Sequence, residues 1–140
     1  MKFLFWICLI FSVHSHCQNE QIVNLSFNLS SENINESNRK IVDAEGVTFY
    51  IEGNYFRKDN LVVKEVSPNE IENKTFKNIN DLIKYKNALI EKEIKKSKNS
   101  GVVSIISNQD VFKKIFIYEK ATNNSILEHN VVWLEVIECE

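Results

Sequence analysis

The chain has 140 residues, of which 44% are hydrophobic and 26% are charged, and this length fits one domain with a single core. The three glycines, Gly46, Gly53 and Gly101, lie far apart, which excludes glycine-rich phosphate-binding loops and the nucleophile elbow of many hydrolases. The formal net charge of −2 argues against a general nucleic-acid-binding protein, because such proteins are usually strongly basic.

The N-terminal segment has the layout of a secretory signal peptide. Lys2 precedes an apolar run at residues 3–13, and small or polar residues follow the run. A helix of this length spans roughly 16 Å, which is too short for the hydrocarbon core of a membrane, about 30 Å thick. We therefore expect residues 1–17 to be a signal peptide without a transmembrane anchor. Residues 18–140 then form the single exported domain, secreted or periplasmic.

The cleavage position decides the chemistry of the cysteines. Cleavage after Ser15 leaves Cys17 and Cys139 in the exported chain, where an oxidising compartment allows them to form a disulfide. Cleavage after Cys17 leaves Cys139 as a lone thiol between two carboxylates, which raise the pKa of a thiol and oppose nucleophilic reactivity. A lipoprotein acylated at Cys17 is a third interpretation, which His14 and His16 disfavour because such signals use aliphatic and small residues there.

The next part of the chain is predicted to form short strands. Residues 22–30 and 47–52 alternate between apolar and polar side chains, as in strands that bury one face. Residues 61–66 are predicted to form a further strand after a turn at residues 59–60. Residues 30–40 are polar without periodicity and predict an exposed loop.

Two helices are predicted after these strands. Ser67, Pro68 and Glu70 match the start of a short helix, because serine can cap, proline suits the first helical position and the glutamate can reach back to the cap. The main helix is expected at about residues 79–98, ended by residues 99–101. Its N-terminal cap is predicted to be Asn78 or Asn80. Its apolar stripe consists of isoleucines and leucines: Ile79, Leu82, Ile83, Leu89, Ile90 and Ile94.

Charge is segregated along the chain. Seven lysines and three carboxylates lie between residues 76 and 98, a net charge of +4 in a chain that is negative as a whole. Lys84, Lys95 and Lys98 cluster on the side of the helix opposite the apolar stripe. This face is either an ordinary solvated surface or a binding surface for an acidic protein, an anionic lipid or another polyanion.

The C-terminal part is predicted to complete a sheet. Residues 102–107 are expected to form a strand, and residues 112–119 and 126–137 a hairpin whose second strand is apolar on both faces at residues 131–134. These elements predict an α+β fold, in which an antiparallel sheet of five to seven strands packs one amphipathic helix on one face.

Few residues offer catalytic or metal-binding chemistry. The spacing of His and Cys residues fits no zinc site, the calcium-loop pattern is missing, and no metal or other cofactor is expected. His129 is the one plausible histidine base, and its simplest interpretation is a surface residue near the end of a hairpin. Glu135 lies between apolar residues and is an acid candidate if burial raises its pKa, whereas its simplest interpretation is a glutamate at a sheet edge or paired with a lysine. A glycosidase would need a second carboxylate, for which three residues are candidates: Glu52, Asp110 and Glu119.

Two further residues have both a functional and a structural interpretation. Lys86 falls inside the apolar arc of the helix, either as a functional lysine or as a side chain that extends along the sheet to water. Trp133 can form a sugar-binding platform with Tyr118 or Phe116, although aromatic residues at this spacing more often belong to a core.

The sequence thus favours a small exported, non-enzymatic interaction module, of the kind formed by inhibitors and accessory proteins, that binds through the lysine face or a sheet edge. The partner is unknown, and an acidic protein is one candidate. The alternative is a small secreted hydrolase that uses His129 or Glu135 in a pocket at the end of the sheet.

Overall fold

A computed structural model describes residues 22–29, 38–101, 107–121 and 123–135. It has an α+β fold, with one long helix packed on a seven-stranded, mostly antiparallel sheet. The elements in chain order are β1 (Ile22–Phe27), β2 (Arg39–Asp43), β3 (Gly46–Ile51), β4 (Asn54–Lys58), β5 (Lys64–Val66), α1 (Pro68–Glu72), α2 (Ile79–Ser100), α3 (Asn108–Val111), β6 (Lys114–Lys120) and β7 (Ile126–Trp133). The predicted fold class is confirmed.

The strand order is β1-β6-β7-β4-β3-β2, and β5 also pairs with β7. The pair β1–β6 is parallel, and the other strand pairs are antiparallel. Strand β7 has neighbours on both edges, which agrees with its apolar character on both faces. The strands therefore assemble around β7.

The core lies between the sheet and α2, on what we call the inner face. Phe49, Phe56 and Ile117 are fully buried there, and Ile79 and Leu82 from the first turns of α2 pack into the same cluster. The second half of α2 extends beyond this core, because Ile94 is 47% exposed. The apolar stripe thus anchors the helix mainly through its N-terminal half.

The sheet curls strongly around this core. The rings of Phe27 on β1 and Phe49 on β3 are 5.1 Å apart, although three strands separate β1 from β3 in the strand order. Such an approach needs a sheet that bends its two ends towards each other. The curl brings side chains from distant strands to one end of the inner face.

The outer face is covered in part by residues that follow α1, among them Lys74 and Phe76. Tyr118 is fully buried against the edge of the Phe76 ring at 5.6 Å, and Val66 is also buried. Phe76 itself forms a parallel bridge with Asn24 on β1. Tyr118 and Phe116 thus lie on the opposite face of the sheet from Trp133, which is on the inner face between Phe56 and Phe112. The sugar-platform interpretation of Trp133 is therefore wrong.

The helix ends follow from local sequence. Ser67 and Glu70 form the predicted capping box of α1. The side chain of Asn78 accepts a hydrogen bond from the backbone of Asp81 at the start of α2, as predicted. Helix α2 runs to residue 100, two residues beyond the prediction, and ends at Gly101 with φ of 71°, a left-handed conformation that favours glycine.

Three strand predictions need comment. The strand predicted at 61–66 contains only residues 64–66, and the strand predicted at 126–137 ends at residue 133. The strand predicted at 102–107 lies almost entirely outside the described residues. The signal peptide, the cysteines and the predicted domain boundary at residues 17–18 also lie outside them.

Candidate functional site

The lysine surface, defined as Lys84, Lys95 and Lys98, lies on the side of α2 away from the sheet. All three residues are exposed and lie within about 60° of one another around the helix axis. None of them forms an ion pair with a described carboxylate, whereas Lys86 and Lys96 of the same helix do. No described ion pair compensates the charge of these three lysines, although Glu91 is exposed on the same side of α2, four residues before Lys95.

Lys86 and Glu135, which sequence analysis singled out separately, form one ion pair. The Nζ atom of Lys86 donates to Oε1 of Glu135 at 3.1 Å, and the backbone N–H of Asn108 donates to the same oxygen at 2.9 Å. Lys86 leaves the apolar arc of α2 and reaches the carboxylate just after the end of β7, with its side chain 21% exposed. This pair ties α2 and α3 to the end of the central strand.

The environment of Glu135 does not favour an acid catalyst. Its side chain is 46% exposed, and the hydrogen bonds from Lys86 and Asn108 lower its pKa. Glu135 therefore has neither the burial nor the raised pKa that an acid catalyst requires, because β7 ends before it and a cation occupies the adjacent position. The ion pair with Lys86 agrees with the simpler interpretation, a glutamate paired with a lysine. A carboxylate with a lowered pKa is ionised at neutral pH and has no proton to donate.

An open cavity of about 510 Å³ lies beside this ion pair. Its walls come from α2, the β3–β4 turn and the end of β7, and they include Ile83, Ile90, Asn54 and Trp133. Trp133 is only 6% exposed, so the tryptophan ring offers little surface to a molecule in the cavity. The cavity combines a balanced pair of charges with aliphatic walls, and it contains no histidine.

His129 occupies a different place, inside the curled sheet. It is 3% exposed and its ring lies 4.9 Å from that of Phe49. Its Nε2 atom is 3.0 Å from Oε2 of Glu119, and Nζ of Lys40 lies 2.7 Å from the same oxygen. The expected surface position of His129 is therefore wrong. The register pairs His129 with Ile117, which directs its side chain to the inner face.

The carboxylate of Glu119 carries the negative charge that holds Lys40 and His129 in one cluster. Burial by itself raises the pKa of Glu119, but the hydrogen bonds from His129 and Lys40 outweigh that effect, and the net pKa is lowered. Glu119 is thus an anion between a lysine and an imidazole. Sequence analysis named Glu119 only as one of three carboxylates, and it missed Lys40, because only the curl of the sheet brings β2 to β6.

Among the described residues, no nucleophile is hydrogen-bonded to the His129 ring. Its Nδ1 atom is buried without a hydrogen-bond partner, and no described serine or threonine is hydrogen-bonded to either ring nitrogen. A histidine that activates a serine, threonine or cysteine nucleophile needs the hydroxyl or thiol of that residue within hydrogen-bonding distance. His129 and Glu135 also have separate partners, so the structure does not bring the two candidate catalytic residues together.

The described residues offer neither a cluster of metal ligands nor a membrane-spanning helix. They contain no group of three or more His, Cys, Asp or Glu side chains arranged to hold a metal ion. Among them there is also no helix with the length and apolar character needed to cross a membrane.

Comparison with known proteins gives no family for this chain. No family model, no curated protein and no solved structure matches it.

Proposed function

We propose that this chain is an exported, non-enzymatic interaction module that binds an acidic protein partner through the lysine surface of α2. The proposal of export rests on the signal-like residues 1–17. The observation that carries the proposed binding is the position of three exposed lysines on one side of α2. Lys84, Lys95 and Lys98 project into solvent without an ion pair to a described carboxylate, whereas four cations of the sheet and the outer layer form such pairs: Lys40, Arg57, Lys64 and Lys74.

The long helix suits this role because its two halves have different surroundings. Its first turns are fixed in the core by Ile79 and Leu82, and its second half extends from the domain. A rigid element that presents one sign of charge at a distance from the core attracts a partner of the opposite sign and fixes its orientation. The rest of the chain is acidic, which leaves α2 as the region with a net positive charge.

The alternative is a small secreted hydrolase that uses His129 or Glu135. One observation favours it, the hydrogen bond between His129 and Glu119, because a carboxylate often orients a catalytic histidine. The burial of His129 and the lowered pKa of Glu135 count against it. Hydrolysis of a model ester, peptide or glycoside that is lost in H129Q or E135Q would support this alternative over the binding proposal.

The binding proposal is tested with a fluorescent glutamate-rich peptide as the probe of an acidic protein surface. Three double reversals, K84E/K95E, K84E/K98E and K95E/K98E, each change the net charge by the same amount. The matched control is K113E/K120E, which reverses two exposed lysines outside α2. We expect fluorescence anisotropy to show at least about a tenfold loss of affinity for the three α2 variants, equivalent to about 1.4 kcal/mol, and much less for the control. Equal losses in all four variants would show that only net charge matters and would refute a specific surface.

A further inference from the structure

The strands β4 and β5 are two parts of one interrupted strand. Both pair antiparallel with β7, and the pairing stops at Lys58 opposite Val131 and resumes at Lys64 opposite Glu128. Five residues, 59–63, therefore lie opposite only two residues of β7, and the extra three are extruded from the sheet. This is a large bulge rather than a connection between separate hairpins.

Contacts within the sheet and the loop hold the base of this bulge in place. The backbone N–H of Asp59 donates to the carbonyl of Asn130 at 3.0 Å, and the side chain of Asn130 donates to the Asp59 carboxylate at 3.2 Å. The Nζ atom of Lys58 donates to the carbonyl of Leu61 at 3.1 Å. The bulge thus presents its tip on a fixed base.

The tip of the bulge is apolar and exposed. Leu61 is 95% exposed, Val62 71% and Val63 40%, and no other place in the described ranges has three consecutive exposed large hydrophobic residues. Isolated exposed aliphatic residues are common on protein surfaces, whereas contiguous ones mark interaction sites. We call these three residues the apolar tip.

The composition of the tip and of its base indicates the kind of surface that receives it. Energetic centres of protein interfaces are enriched in Trp, Tyr and Arg, with Leu and Val under-represented, and the tip has only leucine and valine. The base has one cation and one anion on each side of the tip, Lys58 with Asp59 and Lys64 with Glu65, and therefore has no net charge. A zwitterionic bilayer likewise has no net charge, and its apolar interior accepts aliphatic side chains.

We propose that the apolar tip inserts into the interface of a zwitterionic lipid bilayer and holds the domain reversibly at a membrane surface. The lysine surface is not required, because insertion depends on aliphatic side chains. The inference therefore stands or falls separately from the proposed binding of an acidic partner. An apolar pocket on a partner protein is the competing occupant.

The test places an environment-sensitive nitrobenzoxadiazole label on the tip. The full chain, with Cys8, Cys17 and Cys139 replaced by serine, carries the label at L61C or V62C. The matched control carries it at V42C, because Val42 is 70% exposed on the edge strand β2 and is the closest match to Val62. Each labelled chain is mixed with phosphatidylcholine vesicles at about 0.1 M and about 1 M salt, because high salt screens charge-dependent adsorption.

We expect the emission at positions 61 and 62 to move to shorter wavelength and to gain intensity on vesicles at both salt concentrations, with no such change at position 42. Any vesicle binding by residues 1–17 affects all labelled chains equally and does not change the emission of the label at one position alone. No change at positions 61 and 62 would overturn the proposal and favour the protein pocket. An equal change at all three positions would also overturn it.

Discussion

The Nζ atom of Lys40 on β2 lies 2.7 Å from the carboxylate of Glu119 on β6, although three strands separate β2 from β6 in the sheet. In a flat sheet the two strands would be about 19 Å apart, four times the usual strand spacing. The ion pair therefore joins two regions that only the curl of the sheet brings together. Lys40 is also an inward-pointing charge on an edge strand, a feature that hinders pairing with a strand of another chain.

The first prediction concerns this pair. E119Q leaves Lys40 and His129 without their anion, and we expect the free energy of unfolding to fall by about 2 kcal/mol. E45Q removes an exposed ion pair with Arg57 and is the control, with an expected loss below about 0.5 kcal/mol. Urea denaturation followed by circular dichroism measures both. Equal stability of E119Q and the parent chain would contradict a structural role for the cluster.

The second prediction is a pH dependence with a defined sign. Because the pKa of Glu119 is lowered in the folded protein from its ordinary value of 4.5, the unfolded chain binds the proton more tightly. The stabilisation is present above the unfolded pKa and is lost as the pH falls through the folded pKa. We expect the stability difference between the parent chain and E119Q to be largest near neutral pH and to shrink in acid. A stability difference between the two chains that grows on acidification would show that the predicted sign of the pH dependence is wrong.

The third prediction concerns Tyr118, which is buried on the outer face. The hydroxyl of Tyr118 donates to Glu128 at 2.6 Å, and burial together with this carboxylate raises the pKa of Tyr118. We expect Y118F to lower the free energy of unfolding by about 1 kcal/mol, since Glu128 loses a hydrogen bond. The control Y55F should change little, because the described residues offer the Tyr55 hydroxyl no partner.

Absorbance titration gives an independent measure of the same residue. The chain has four tyrosines, and we expect one of them to stay protonated in alkali until the protein unfolds. Y118F should lack that late phase, whereas Y55F should retain it. Ionisation of all four tyrosines in the folded state would contradict the raised pKa of Tyr118.

The fourth prediction tests how α2 is anchored. Leu82 is 3% exposed in the core, and L82A should cost about 3 kcal/mol through lost burial and a residual cavity. Ile94 lies on the part of α2 beyond the core, and I94A should change the stability by less than about 0.5 kcal/mol. Thermal or urea unfolding measures both variants. A large loss for I94A would mean that the second half of α2 is packed as firmly as the first.

Local patterns predicted much of the secondary structure. The capping box at Ser67 is confirmed, and the cap of α2 is Asn78, one of the two predicted asparagines, because each depends on residues within one helical turn. Helix α2 ends two residues beyond its predicted end, at Gly101, the last residue of the predicted stop. The alternation at residues 22–27 correctly indicated a strand with one buried face. The strand predicted at residues 61–66 is wrong at residues 61–63, where apolar residues suited to a strand are extruded from the sheet as a bulge.

The sequence by itself determined the class of fold, the ends of the helices and the position of the lysines opposite the apolar stripe of α2, because these features depend on neighbours in the chain. Only the tertiary structure decided that His129 is buried, that Lys40 meets Glu119 and that Lys86 meets Glu135. These ion pairs join residues 49 or more positions apart, and the burial of His129 depends on which face of the strand turns inward. Their partners are fixed by strand register and sheet curl, and no local pattern encodes either.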